Sequence, residues 1–158
     1  MKSLLLVIDL QNEFINDNTR YLIKKIDKLI DSKKYDDVLF TRFINDSRWD
    51  NILEWDGCKD KESIEIPIST RNYKVVDKSI YTSLNDEVRD YIRNNNIDII
   101  YLCGISTDCC VLKTALDMFE EGYNVKVLKD YSMCTVGINT HLSMIDMLKR
   151  NIGYNNVI

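Results

Sequence analysis

Apolar runs that alternate with segments of helical period constrain this chain more than any other feature of its sequence. Leu4-Leu-Leu-Val-Ile8 is apolar throughout and is stopped by Asp9, the pattern of a strand buried on both faces. Asp37-Val-Leu-Phe40, Tyr73-Lys-Val-Val76, Asp98-Ile-Ile-Tyr-Leu-Cys103 and Val125-Lys-Val-Leu128 read as four more strands, and Val157-Ile158 as a short sixth. Between them lie apolar residues at helical spacing. Leu22, Ile23, Ile26, Leu29 and Ile30 fall in a helix over about 19 to 34, and Val88, Tyr91 and Ile92 in one from Asn85 to Asn94. A third helix carries Val111, Leu112, Ala115, Leu116 and Phe119, with Gly122 as its stop. The last carries Leu142, Ile145 and Leu148 before Gly153. Strand and helix in regular alternation mean a parallel sheet with helices on both faces. About six strands are too few for a closed barrel of eight β/α units, so the expected form is an open, doubly wound α/β domain.

The 158 residues fit one such domain, spanning 1–158. The stretch from about 45 to 72 breaks the alternation. It holds Trp49, Trp55, Gly57 and Pro67, the only proline, and shows no clean period. A stretch of that kind is either a lid or partner surface, or a loosely packed insertion. The net charge is −4 and no basic stretch offsets it, so a surface that tracks nucleic-acid phosphates is not expected. No segment approaches the roughly 20 apolar residues of a membrane helix. Five cysteines, an odd number with no disulfide-like spacing, suit a reducing compartment. The first apolar run is too short for an export signal, so a cytoplasmic location is expected.

Ligands of open parallel sheets bind outside the carboxyl ends of the strands. Past the first strand come Asp9, Gln11 and Asn12; past the third, Asp77 and Lys78; past the fourth, Gly104-Ile-Ser-Thr-Asp-Cys-Cys110. A carboxylate, an ammonium and two thiols thus reach one edge of one sheet. Gly104 permits a sharp exit from its strand, and Ser106 or Thr107 can cap the following helix. Cys110 then falls in the first helical turn, where free amides and the helix dipole favour an anion. This placement, with Lys78 nearby, is expected to lower the thiol pKa and yield a nucleophile. Asp9 is suited to take the thiol proton and return it to a leaving amine. Phe14, Phe43, Trp49, Trp55 and Tyr81 are candidates for the wall of a small-molecule pocket. No G-x-G-x-x-G or Walker A motif is present.

Three segments, in order, resemble the isochorismatase-like cysteine hydrolase family, which includes nicotinamidases, carbamoylases and isochorismatases. They are Leu6-Val-Ile-Asp9-Leu-Gln11-Asn12-Glu-Phe14, Val76-Asp-Lys78-Ser-Ile-Tyr81 and Gly104-Ile-Ser-Thr107-Asp-Cys-Cys110-Val-Leu-Lys-Thr114-Ala115. The resemblance implies a Rossmann-like three-layer α/β/α sandwich with an open, mainly parallel sheet. It implies Asp9, Lys78 and Cys110 as the catalytic triad, with Cys109 in a variable neighbouring position. It places a cis peptide between Ile105 and Ser106 and aims the amides of Ser106 and Cys110 at an oxyanion. It also implies a homodimer or larger assembly.

The chain departs from the family after the second strand, where nicotinamidases carry a metal-binding Asp and histidines. Thr41-Arg42-Phe43-Ile44-Asn45-Asp46 contains no histidine, and the chain has only His141, on the last helix. A histidine-rich metal site is ruled out, nicotinamide becomes a doubtful substrate, and His141 is expected to cap or pack. No cofactor is expected. Isochorismatases cleave a vinyl ether without depending on this cysteine, so its presence favours cleavage of a small molecule's C–N bond. The alternatives are vinyl ether hydrolysis without thiol attack, or a binding protein that has lost catalysis.

Overall fold

The computed structural model describes residues 1–158. Five strands form one parallel sheet: β1 (Ser3–Ile8), β2 (Asp37–Phe43), β3 (Lys74–Lys78), β4 (Ile99–Ile105) and β5 (Val125–Met133), in the order β3-β2-β1-β4-β5. The expected sixth strand is reduced to one parallel bridge between Val127 and Val157. A one-turn helix over Tyr154–Asn156 immediately precedes Val157.

β1 lies at the centre because its residues are apolar on both sides. Leu4, Leu6 and Ile8 pack into one core layer with Val88, Ile92, Ala115, Met118, Ile145 and Leu148. Those partners come from α4 (Asp86–Asn94), α5 (Leu112–Glu120) and α6 (Ile138–Ile152). Leu5 and Val7 point the other way, onto Leu22, Ile26, Leu29 and Ile30 of α1 (Tyr21–Asp31). Each fully buried aliphatic side chain contributes about 1.5–3 kcal/mol. Period-2 alternation in β1 thus sets a three-layer sandwich.

Two helix faces differ from the sequence reading. Met118, not Phe119, is buried on α5, and Phe119 is 45% exposed. On α6, Leu142 is 54% exposed while His141 faces inward. In each helix one position of the expected stripe gives way to its neighbour, while Val111, Ala115, Ile145 and Leu148 are buried as expected. On α6 a hydrogen-bonded histidine holds an inward position that a count of apolar residues passes over.

The strands run on past their apolar cores. β2 continues to Phe43, β4 to Ile105, and Lys78 is the last residue of β3 rather than the residue beyond it. The ladder keeps pairing there, with Phe43 opposite Lys78 and Ile8 opposite Gly104. Gly104 lies at φ +121°, and a Cβ there would come within 2.0 Å of the Ile8 carbonyl oxygen. Only glycine lets β4 approach β1 this closely at its exit.

The segment after β2 covers the carboxyl edge with two one-turn helices, α2 (Asp50–Leu53) and α3 (Lys61–Ile64). Backbone and side chain tie it down: the Asn12 amide donates to Glu65 at 2.9 Å, and Asn12 Nδ2 to the Glu62 carbonyl at 3.0 Å. No helix is long and apolar enough to cross a membrane.

Candidate active site

The strand order reverses direction between β1 and β4, since β2 and β3 lie on one side of β1 and β4 and β5 on the other. A crevice forms at such a switch point. Asp9 leaves β1 on one side of it, and the Ser106–Cys110 turn leaves β4 on the other. Lys78 starts two strands away, at the end of β3, and its long stem reaches under the Phe43 ring. Its Nζ lies 2.7 Å from Asp9 Oδ2 and 3.5 Å from Cys110 Sγ. The three side chains predicted from separate stretches of sequence therefore meet. The side chains of Lys78 and Asp9 are 1% and 0% exposed.

Two buried charges at this depth persist only when their remaining hydrogen-bonding capacity is met. An ammonium has three protons. Besides Asp9, Lys78 donates to the carbonyls of Ile80 at 2.9 Å and Tyr81 at 3.0 Å. Three oxygens use the three donors, so the longer contact to sulfur is chiefly electrostatic. Asp9 Oδ1 accepts from Thr41 Oγ1 at 2.9 Å, and the Thr41 and Ser83 hydroxyls are 3.2 Å apart. Thr41 has one proton and gives it to Asp9, so Ser83 donates to Thr41. The Ser83 amide in turn donates to Thr114 Oγ1 of α5 at 2.8 Å. Asp9 Oδ2 has no partner besides the Lys78 ammonium. It retains a lone pair for a proton.

Cys110 lies in a π-type turn over Thr107–Val111 that leads into α5. The amides of Cys109 and Val111 both donate to the Ser106 carbonyl at 3.1 Å, and the amide of Cys110 between them is not bonded to it. The Ile105–Ser106 peptide bond is cis. The Ser106 amide makes no hydrogen bond within the chain. Neither expected hydroxyl caps the helix: Ser106 donates to the Asp108 carboxylate and Thr107 pairs with His141 Nδ1 at 2.9 Å. The wider π turn gives the two hydroxyls these other partners. His141 packs as expected, and it also anchors the turn. Burial lowers its pKa, with Asp130 opposing.

The thiol pKa departs from the expectation of a lowered value. Burial and the neighbouring Asp9 carboxylate push Cys110 well above the ordinary thiol range, against the pull of Lys78. For Lys78, burial pulls the pKa down, but Asp9 and Cys110 outweigh it and the ammonium is held above its usual value. Burial and the adjacent carboxylate thus favour the protonated thiol over the thiolate beside the Asp9–Lys78 pair. The helix start that suggested a thiolate is outweighed by desolvation of a group only 6% exposed.

Above the sulfur is a cavity of about 170 Å³. Phe14, Phe43, Trp55 and Tyr81 form aromatic walls, and Leu53 of α2 adds to them. Ile105, Ser106, Asp108, Cys109, Cys110 and Thr135 line the sheet side. Trp49, expected in the wall, does not reach it. Its ring stacks on Tyr81 at 5.0 Å and its Nε1 donates to the Ser79 carbonyl at 3.1 Å, so it braces the wall from behind. Leu53, Asp108 and Thr135 were not predicted. Asp108 lay inside the nucleophile segment and was legible, whereas nothing in the sequence pointed to Leu53 or Thr135.

Where a metal would be expected after β2, Asn45 Nδ2 donates to Asp50 Oδ1 at 3.2 Å, and the Lys59 ammonium pairs with the same carboxylate. The carboxylate that Asn45 touches is thus taken by an ammonium, the neighbouring Asp46 is paired with Arg48, and no three His, Cys, Asp or Glu side chains converge as ligands. These residues do not fit a metal ion.

A parallel five-stranded sheet with helices on both faces and its polar site at the β1/β4 switch point is the fold of the isochorismatase-like hydrolases. The isochorismatase domain model matches residues 3–154, and the chain belongs to that family. Isochorismatase family protein 1A of Dictyostelium discoideum is 29% identical over 135 residues, 81% of this chain and 61% of that protein. Its family protein 2A is 39% identical over 64 residues, 39% of this chain and 32% of that one. The matches therefore span less than two thirds of the length of these curated relatives. Among solved structures, the nicotinamidase of Bacillus subtilis superposes with a TM-score of 0.82 at 21% identity, covering 97% of each chain. The N-carbamoylsarcosine amidase of Thermoplasma acidophilum gives 0.81 at 24% identity, covering 97% of this chain and 94% of that one. At these identities the superpositions speak to the fold.

Proposed function

We propose that this chain is a metal-independent cysteine hydrolase that cleaves the amide or carbamoyl C–N bond of a small molecule through a thioester on Cys110. The observation that carries the reading is the meeting of Lys78 Nζ with Asp9 Oδ2 and Cys110 Sγ, the sulfur lining one small cavity and the ion pair lying buried behind it. As sulfur attacks the carbonyl carbon, its proton passes to the open lone pair of Asp9 Oδ2. Lys78 keeps the ammonium charge and stabilises negative charge on sulfur and carboxylate. The Ser106 and Cys110 amides face the developing oxyanion. Protonated Asp9 then gives its proton to the leaving nitrogen, the C–N bond breaks and the acyl group remains on sulfur. Asp9 next takes a proton from water, which attacks the thioester. The acid leaves, and the proton returns to sulfur.

Cleavage of a vinyl ether that uses Asp9 without thiol attack would leave Cys110 idle. The two are separated by activity of variants on a panel of small amides, read as ammonia release. Cys110→Ala is expected to lose at least about a thousandfold in turnover. Cys109→Ala is expected to remain within about tenfold of the parent. Full activity in Cys110→Ala, or loss confined to Cys109→Ala, would overturn the assignment.

A further inference from the structure

The cavity has a charge bias that C–N hydrolysis does not itself require. Four aromatic rings and one charged side chain, Asp108, line it, and no Lys, Arg or His side chain does. Asp108 accepts a hydrogen bond from the Ser106 hydroxyl. Beside Phe14 at the mouth, the exposed Glu13 accepts from Trp55 Nε1 at 3.3 Å. Neither carboxylate takes part in an ion pair. The nearby cations are committed elsewhere: Lys78 to Asp9 at 2.7 Å, Arg48 to Asp46 at 2.6 Å, and Lys59 to Asp50.

We propose that the substrate is a small cationic amide, its positive charge held between the aromatic walls and the Asp108 carboxylate, and that anionic amides are rejected. This deepens the reading of the cavity as the substrate site of Cys110. Ring faces carry negative potential and attract a cation. A carboxylate in an apolar wall acts at short range with little screening. An anion entering the same space would lose its water and find no cation to pair with. The volume of about 170 Å³ limits the ligand to a small molecule.

The test uses thiol chemistry first, because that needs no known substrate. In the Cys109→Ala protein, Cys110 is the one thiol lining the cavity. Its modification by 2-aminoethyl, ethyl and 2-sulfonatoethyl methanethiosulfonate is followed by peptide mass, each rate divided by that reagent's rate with 2-mercaptoethanol. The cationic reagent is expected to exceed the anionic one by at least about tenfold, and Asp108→Asn to shrink the ratio to within about threefold. A ratio at or below one, or one unchanged by Asp108→Asn, overturns the proposal. Should that variant not fold, raising salt from about 50 to about 500 mM in the parent must compress the ratio, and a salt-independent ratio overturns it equally. Ammonia release from 3-(aminomethyl)benzamide, 3-methylbenzamide and 3-carbamoylbenzoate is expected to fall in that order. If none of the amides reacts while the thiol rates keep the charge order, the hydrolase reading fails and the charge preference stands. If all three amides react equally, the charge preference fails and the hydrolase reading stands.

Discussion

The floor and the roof of the cavity are built by different physics. The floor is Cys110 backed by the buried Asp9 and Lys78, presented by the ends of a parallel sheet and bound into a polar network through Thr41, Ser83 and Thr114. The roof is a segment of two one-turn helices that leaves Ile52 74% exposed and relies on aromatic contacts and surface ion pairs. A network whose members satisfy one another is lost as a unit, whereas contacts on an exposed segment are lost singly. The comparison teaches that the buried network and the exposed segment should respond differently to mutation.

The sharpest way to break this comparison is to split the buried ion pair. Asp9→Asn leaves the Lys78 charge buried without its partner and is expected to destabilise the protein by about 3–5 kcal/mol, measured by urea unfolding. Turnover should fall by about 10²–10⁴-fold. Adding Lys78→Met to Asp9→Asn should recover part of the stability and none of the activity. Recovery of neither would mean that the two residues do not act as a pair.

In the roof, Trp49→Ala removes the ring stacked on Tyr81, a contact worth about 0.5–1.5 kcal/mol. The expected result is a rise in KM of several-fold with kcat little changed. A collapse of kcat would place Trp49 in the chemistry and erase the division between the two regions.

The smallest expected effect concerns His141, which joins the floor to α6 through Thr107. Its folded-state pKa is lowered by burial, so the unfolded chain binds the extra proton more readily. Its contribution to stability is complete above the ordinary value of 6.5 and is lost as pH falls through the lowered folded pKa. Acidification below pH 6.5 should therefore destabilise the protein, and His141→Gln should flatten that slope while stability near pH 8 changes less. A slope identical in both proteins would remove His141 from the account.

Much of the floor was legible because its residues lie beside strong local signals. Asp9 stops a five-residue apolar run, and Cys110 follows a glycine exit into an amphipathic helix. Lys78 falls two residues beyond the apolar core that marks its strand, because the ladder extends past that core. The protonation of Cys110 could not be read along the chain. It depends on how deeply the turn is packed and on a carboxylate about a hundred residues away in sequence. The roof was recognised only as a break in periodicity, since two one-turn helices leave no hydrophobic period to detect. Trp49 was assigned to the cavity by residue type, and tertiary packing turned its ring outward from it, onto Tyr81. Val157 illustrates the limit at the other end: β-branched composition suggested a strand, and the chain supplies a single bridge.

Intact-mass analysis of the protein during turnover tests the central claim most directly. Quenched in acid while hydrolysing a small amide, the parent should carry one added acyl group, assigned to Cys110 by fragmentation and absent from Cys110→Ala. Steady turnover of an amide by Cys110→Ala, or an adduct on another residue, would contradict the account.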